Sequence, residues 1–283
     1  MILWGAYVRA SASGAGCGSH WPLCNGDVVP RAPRLETIIE FTHRVTSGLA
    51  LFAVVGLVIW SAVSFPRGHR VRRTAIVSLV LILTEALLGA GLVVFQLVAQ
   101  DASVGRACYL SLHLVNTLFL LGALALTAWY SSESARTGRW SRVTAGTLLV
   151  AILVSVTGAI AALGDTLFPA SSLAEGMRQD ASAAASFLVR LRIVHPVLAV
   201  LAAAYFAWVA VTVLRSKPQE TLARIALFVL VVTLAQLGAG AINLALLAPI
   251  GMQILHLFLA DLVWISLVLL TAENKQWGDS HLI

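Results

Sequence analysis

The chain has 283 residues, 59% of them hydrophobic and only 11% charged, with a net charge of +6 and a mean hydropathy of +0.89. A soluble domain of this size carries about a quarter charged residues, so composition excludes that class. The positive balance does not argue for nucleic acid as a partner either, because membrane proteins collect Lys and Arg in their cytoplasmic loops. Apolar runs of about 20 residues recur from end to end, the signature of spanning helices. They predict an all-α, polytopic membrane bundle with lipid as its surroundings.

In chain order, the sequence opens on "MILWGAYVRA", about half the length a span needs, and shows no basic n-region, apolar stretch and cleavage site of a signal peptide. A long loop covers residues 10–36. Seven spans are predicted over Ile38–Ser64, Thr74–Val98, Tyr109–Tyr130, Val143–Leu163, Leu188–Leu214, Ile225–Leu247 and Met252–Thr271. The connections 66–73, 131–142 and 215–224 hold ten of the nineteen Lys and Arg residues, while those around 99–107, 164–187 and 248–251 hold only Arg106 and Arg178. The positive-inside rule puts the basic loops in the cytoplasm and the first loop outside the cell membrane, with Arg31 and Arg34 weakening the contrast slightly. Residues 1–9 are then the outer half of a helix entering from the cytoplasm. The expectation is eight spans, the first cut short, with a start codon further upstream.

The chain also repeats. "LTEALLGAGLVV" (83–94) resembles "LAQLGAGAINLA" (234–245) around a shared "LGAG", and "YLSLHLVNTLFLLGALALTA" (109–128) parallels "QILHLFLADLVWISLVLLTA" (253–272). "IIEFTHR" (38–44) parallels "RLRIVHP" (190–196). Two tandem four-helix halves, 1–130 and 131–283, are the simplest reading.

Four of the seven histidines fall inside spans: His43, His113, His195 and His256. Each lies roughly 8–10 Å below the outer end of its span at 1.5 Å per residue, two per half. His20, His69 and His281 are expected at the surface. A single intramembrane His is as readily explained by a helix–helix hydrogen bond. Four at one depth suit bis-His ligation of haem between helices of a bundle, with haem iron as the metal. Zinc fits less well, since no Cys or carboxylate accompanies both pairs as a third ligand. Gly48, Gly89, Gly91, Gly122, Gly238 and Gly240 could let a porphyrin approach a helix, or could serve plain helix packing. Arg9, Arg44, Arg190 and Arg192, at the outer boundary, could meet haem propionates or snorkel to headgroups.

Glu40 stands three residues before His43, on the same helical face. Arg44 is expected to point about 100° away from that face. Glu85 and Asp261 lie deeper, where a carboxyl is costly unless protonated or paired. Glu85 has Gln236 as its counterpart, which suggests a polar contact between helices, and Asp261 is not on the face of His256. In the first loop, Cys17 and Cys24 stand on the oxidising side, where a disulfide can persist. Such a pair is either a staple or a redox-labile ring. Cys108 is expected to be a packing residue.

The run "GAYVRASASGAGCGSHWPLCNG" followed by "IEFTHR" resembles the haem A synthase family of cytochrome oxidase assembly, and the pattern of histidines extends that resemblance over nearly the whole chain. The resemblance implies oxidation of one methyl group of haem O, through the alcohol, to the formyl group of haem A. It implies a resident haem b held by His195 and His256, a substrate haem facing His43 and His113, and Glu40 as the acid at the reacting site. It implies a Cys17–Cys24 pair with a structural role, a redox role, or both. Haem O synthase, cytochrome oxidase assembly factors and an unidentified electron acceptor are the implied partners. Many members carry a second Cys pair in the loop between helices five and six; residues 164–187 have none. A di-haem electron-transfer cytochrome is the first rival, but it gives no reason for Glu40 or the Cys loop. A transporter is the second, and it predicts a midplane site rather than one near the outer face.

Overall fold

Residues 1–132, 142–182 and 184–273 are described by the computed structural model, and their regular elements are ten helices. These are α1 (Ile2–Ala10), α2 (Leu35–Ser64), α3 (Arg70–Val94), α4 (Val104–Tyr130), α5 (Arg142–Leu167), α6 (Leu173–Ala181), α7 (Phe187–Arg192), α8 (Val194–Arg215), α9 (Glu220–Ala245) and α10 (Ile250–Glu273). Seven membrane-length stretches result, with α7 and α8 together forming one of them, Phe187–Arg215. The all-α membrane bundle expected from composition is the fold. Most of the basic connection 131–142, and His281 with the tail, lie outside the described residues.

Local chemistry sets the ends. Pro66 follows the extended Phe65 at the end of α2, because the residue before a proline leaves the helical region. His69, Ser103, Ser172 and Ser186 each accept a backbone N–H as N-caps of α3, α4, α6 and α7. The span expected as unbroken over 188–214 breaks at Ile193. Pro196 accounts for this, since it brings no N–H for the carbonyl four residues earlier and its ring crowds that carbonyl. The short amphipathic α6 was not expected at all; it is too brief to show a span's apolar signature.

α3 and α9 end alike. Gln96 and Leu247 are left-handed, at φ 57° and 60°. Leu97 N–H reaches Leu92 O and Ala248 N–H reaches Asn243 O, with Gln96→Val93 and Leu247→Leu244 bonds beside them. Both are Schellman closures, and both sit at one offset of 151 residues (247 − 96, 248 − 97). That register differs by two from the one the "LGAG" motifs suggest (237 − 88 = 149). The apolar alphabet of these helices aligns at several offsets; backbone closure selects one.

The largest core lies among α4, α5, α8, α9 and α10, around Phe206, Val209, Val229, Trp264 and Leu267. A smaller one joins α2, α3 and α4 through Val54, Ile82 and Leu120. Trp264 crosses from α10 to α4 inside the larger core: its indole N–H donates to Leu118 O, and its ring faces Gly122, where an added Cβ would lie 3.5 Å from the indole nitrogen. Arg9 makes a second crossing, from α1 to Ala162 O and Thr166 Oγ1 of α5, both at 2.8 Å, and to Gln253 Oε1 of α10 at 2.9 Å. Trp264→Ala removes a buried ring and one interhelical hydrogen bond, a loss of about 3–5 kcal/mol. The thermal midpoint of detergent-purified protein should fall accordingly; an unchanged midpoint would show that the crossing does not depend on this ring.

Candidate functional site

The four intramembrane histidines occupy corresponding places. Each sits in the early turns of a span entered from the end that carries the disulfide loop, and each ring lies against a glycine of another helix. A Cβ on Gly5 of α1 would stand 3.0 Å from His43 Cε1, one on Gly158 of α5 2.9 Å from His195 Cε1, and one on Gly240 of α9 2.9 Å from His256 Cε1. Gly89 of α3 is looser, at 3.8 Å from His113 Cε1. Real Cβ atoms do not approach as closely as those at Gly158 and Gly240, so a side chain there would force His195 or His256 to move, and one at Gly5 would press on His43. Of the glycines expected to admit a porphyrin, Gly89 and Gly240 therefore make room for imidazoles. Gly91 makes room for Tyr109 and Gly122 for Trp264, while Gly48 and Gly238 face open space. Gly5 and Gly158 were not expected, because a lone glycine in a membrane helix is too common to signal a partner.

Polar neighbours orient the rings. Thr157 Oγ1 lies 3.2 Å from His195 Nδ1, and Gln236 Nε2 lies 3.3 Å from His256 Nε2. Glu85 Oε1 lies 3.5 Å from His113 Nδ1. The Nδ1 atoms of His43, His113 and His256 are buried without a hydrogen bond. His195 and His256 face each other with ring centroids 6.4 Å apart and planes 81° apart. A metal at about 2.0–2.1 Å from one nitrogen of each ring holds two imidazole centroids at about this separation. The residues thus fit a bis-imidazole metal between α8 and α10. Among the described residues no three His, Cys, Asp or Glu side chains gather as a metal site, so two protein ligands per metal is the arrangement available.

The disulfide loop is tied onto α2. Cys17 and Cys24 are bonded. Glu40, 3% exposed, accepts the Cys17 N–H at 2.8 Å on one oxygen and the Arg44 guanidinium on the other. Arg44 donates in turn to His20 O and Leu23 O, both inside the ring and both at 2.7 Å. Thr37 Oγ1 donates to Gly16 O at 2.8 Å, and Gly16 packs on the Glu36 carbonyl with no room for a Cβ. The expectation that Arg44 points away from Glu40 is corrected here. The two residues are i and i+4, and that spacing brings them onto one stripe of the helix.

The other arginines are engaged as well. Arg192 binds Asp180 Oδ1 at 2.7 Å and Asp165 Oδ1 at 3.1 Å, closing α6 and α7 onto the end of α5. Arg9 is held as described above. Arg106 donates to Ala99 O at 2.7 Å and Asp101 O at 2.8 Å. Cys108, expected to pack, is free and exposed at the start of α4. His69 caps α3 and stacks on Phe65, and His20 is exposed, both away from the four-histidine set.

Comparison with known proteins agrees with this picture. A model of the COX15-CtaA family, described as cytochrome oxidase assembly protein, matches residues 1–268. A Thermus thermophilus protein named protoheme IX farnesyltransferase is 45% identical over 98% of this chain, which covers 46% of that relative. The chain thus spans about half the length of these first relatives. Proteins named heme A synthase match shorter stretches. One from Alkalihalophilus pseudofirmus is 36% identical over 48% of this chain and 43% of its own length; one from Halalkalibacterium halodurans is 43% identical over 34% and 32%. With a family match over nearly its full length and the first-loop motif that carries the resemblance, the chain belongs to the COX15-CtaA family of cytochrome oxidase assembly proteins.

Proposed function

We propose that this protein is a haem A synthase, oxidising a methyl group of haem O to the formyl group of haem A. The observation that carries the reading is the set of four imidazoles at one depth, each seated on another helix, with His195 and His256 spaced for one metal. His195 and His256 hold a resident haem b in the half formed by residues 131–283; His43 and His113 receive the substrate haem in the half formed by residues 1–130. The protein lies in the plasma membrane as eight spans, with the disulfide loop outside and the basic loops in the cytoplasm. The farnesyltransferase name belongs to relatives more than half of whose length lies outside the match. A haem O-forming farnesyltransferase is accordingly the partner assigned to supply the substrate.

The chemistry balances with water. Converting the methyl to the alcohol releases two electrons and two protons and takes its oxygen from water; converting the alcohol to the formyl group releases two more of each. Resident haem b, when bound, supplies one-electron transfer toward an external acceptor. The chain's own residues hold and orient the substrate. Glu40 is the acid assigned to the reacting edge, three residues before His43. Both its oxygens already accept hydrogen bonds, which suits a preoriented carboxylate that stabilises positive charge developing at the carbon better than one that takes up a proton. Arg44 and the Cys17 amide hold that carboxylate still. Arg9 and Arg192 remain candidates for propionates only through donors left over from their protein partners.

Expression with a source of haem O, followed by chromatography of extracted haems, tests the activity. Haem A should appear; unaltered haem O would favour the electron-carrier reading, and absence of any haem band would favour a transporter.

The seating of the rings is tested separately. His195→Ala or His256→Ala should remove the resident low-spin haem, and Gly240→Val should do the same by displacing His256. Gly89→Ala should be tolerated, since 3.8 Å is ordinary contact. Full haem b in the His195 and His256 variants would overturn that site.

Glu40→Gln should keep both haems and lose formyl product by roughly 10²–10⁴-fold. Wild-type turnover would leave Glu40 as an anchor of the disulfide loop alone.

A further inference from the structure

Glu85 of α3 is buried between α3 and α4 and has three neighbours there. Asn116 Nδ2 donates to its Oε2 at 2.6 Å and to Leu81 O at 2.9 Å, and the Thr117 hydroxyl bonds to its Oε1. The same Oε1 lies 3.5 Å from His113 Nδ1, which is buried and makes no hydrogen bond, so the carboxyl is the nearest acceptor for its proton. At the offset shared by the Schellman closures, 151 residues on, stands Gln236 (236 − 85), and Gly240 answers Gly89 (240 − 89). Gln236 also meets the histidine of the next helix: its Nε2 lies 3.3 Å from His256 Nε2, and its Oε1 has no hydrogen bond although buried. Two corresponding positions therefore meet the histidine of the next helix, Glu85 as a carboxyl at Nδ1 and Gln236 as an amide at Nε2. A plain interhelical contact accounts for Asn116 and Thr117, but not for both halves directing this position at the ring.

We propose that Glu85 is the positioning partner of His113, accepting its Nδ1–H so that Nε2 is turned to the iron of the substrate haem. This rests on the reading of His113 as a haem ligand. Metal-bound imidazoles commonly donate their second N–H to a carboxylate, which fixes the tautomer and makes the ring a stronger electron donor. Gln236, an amide, gives His256 no such charge. The two halves thus differ electronically through one side chain. The first half holds the more electron-rich macrocycle, from whose edge electrons must be withdrawn, and the second holds the site that receives them.

The test uses the full-length chain in detergent with hemin as the probe. In a His256→Ala background, hemin binding reports the first half alone. Adding Glu85→Gln should weaken hemin binding roughly 10–100-fold and raise the midpoint potential, by about 59 mV for each tenfold loss of preference for ferric over ferrous iron. The reciprocal change, Gln236→Glu in a His113→Ala background, should lower the potential of the second-half haem. A merely structural Glu85 would leave the first-half potential unchanged in Glu85→Gln. Hemin binding that does not depend on His113 would overturn the haem-site reading and this proposal with it. His113-dependent binding with unchanged affinity and potential in Glu85→Gln would overturn the proposal alone. Should Glu85→Gln fail to accumulate, an unlowered potential in Gln236→Glu overturns it.

Discussion

Close approach of a helix backbone to an imidazole is the constraint around which this bundle is organised. A histidine inside a bilayer needs a defined neighbour, because nothing in hydrocarbon satisfies its nitrogens. At His195 and His256 a glycine of another helix also stands so near that a Cβ would displace the ring, and Gly5 comes almost as close to His43. Ring position then follows from helix position, and helix position from the small residues at the contact. His113 is the exception, with more room at Gly89 and a carboxyl beside it. A ring that is less firmly wedged and more polar in its surroundings suits a site whose occupant must come and go.

Much of this was legible in the chain itself. Apolar runs, counted against bilayer thickness, mark the seven long stretches, and equal depth singles out four histidines from seven. What stayed hidden depends on contacts between helices. Gly5 and Gly158 look like any membrane glycine until a ring is placed on them. The "LGAG" match and the Glu85–Gln236 correspondence suggest registers two apart, and because Leu, Gly and Ala recur so often only the helix closures choose between them. Pro196 was visible, yet its effect on the span was not anticipated. The partners of Arg44 follow from its i+4 spacing to Glu40, a relation overshadowed by the nearer pairing of Glu40 with His43. For the carbonyls of His20 and Leu23 as acceptors, no sequence signal exists, since every residue offers one.

The two halves secure the loops at the disulfide end by different chemistry. In the first, a covalent ring is held by a carboxylate and a guanidinium, so the state of Cys17 and Cys24 bears directly on what Glu40 contacts. In the second, Arg192 gathers Asp165 and Asp180 with no cysteine involved. This half-buried cluster loses its tie if Arg192 is removed and is indifferent to thiols.

The stitch made by Arg9 bears on how the protein is built. All three of its acceptors, Ala162 O, Thr166 and Gln253, lie far later in the chain than the arginine itself. Because the chain is made from its N-terminal side, the Arg9 guanidinium lacks these acceptors until α5 and then α10 exist. Docking of α1 through this contact is thus complete only after α10 has been made.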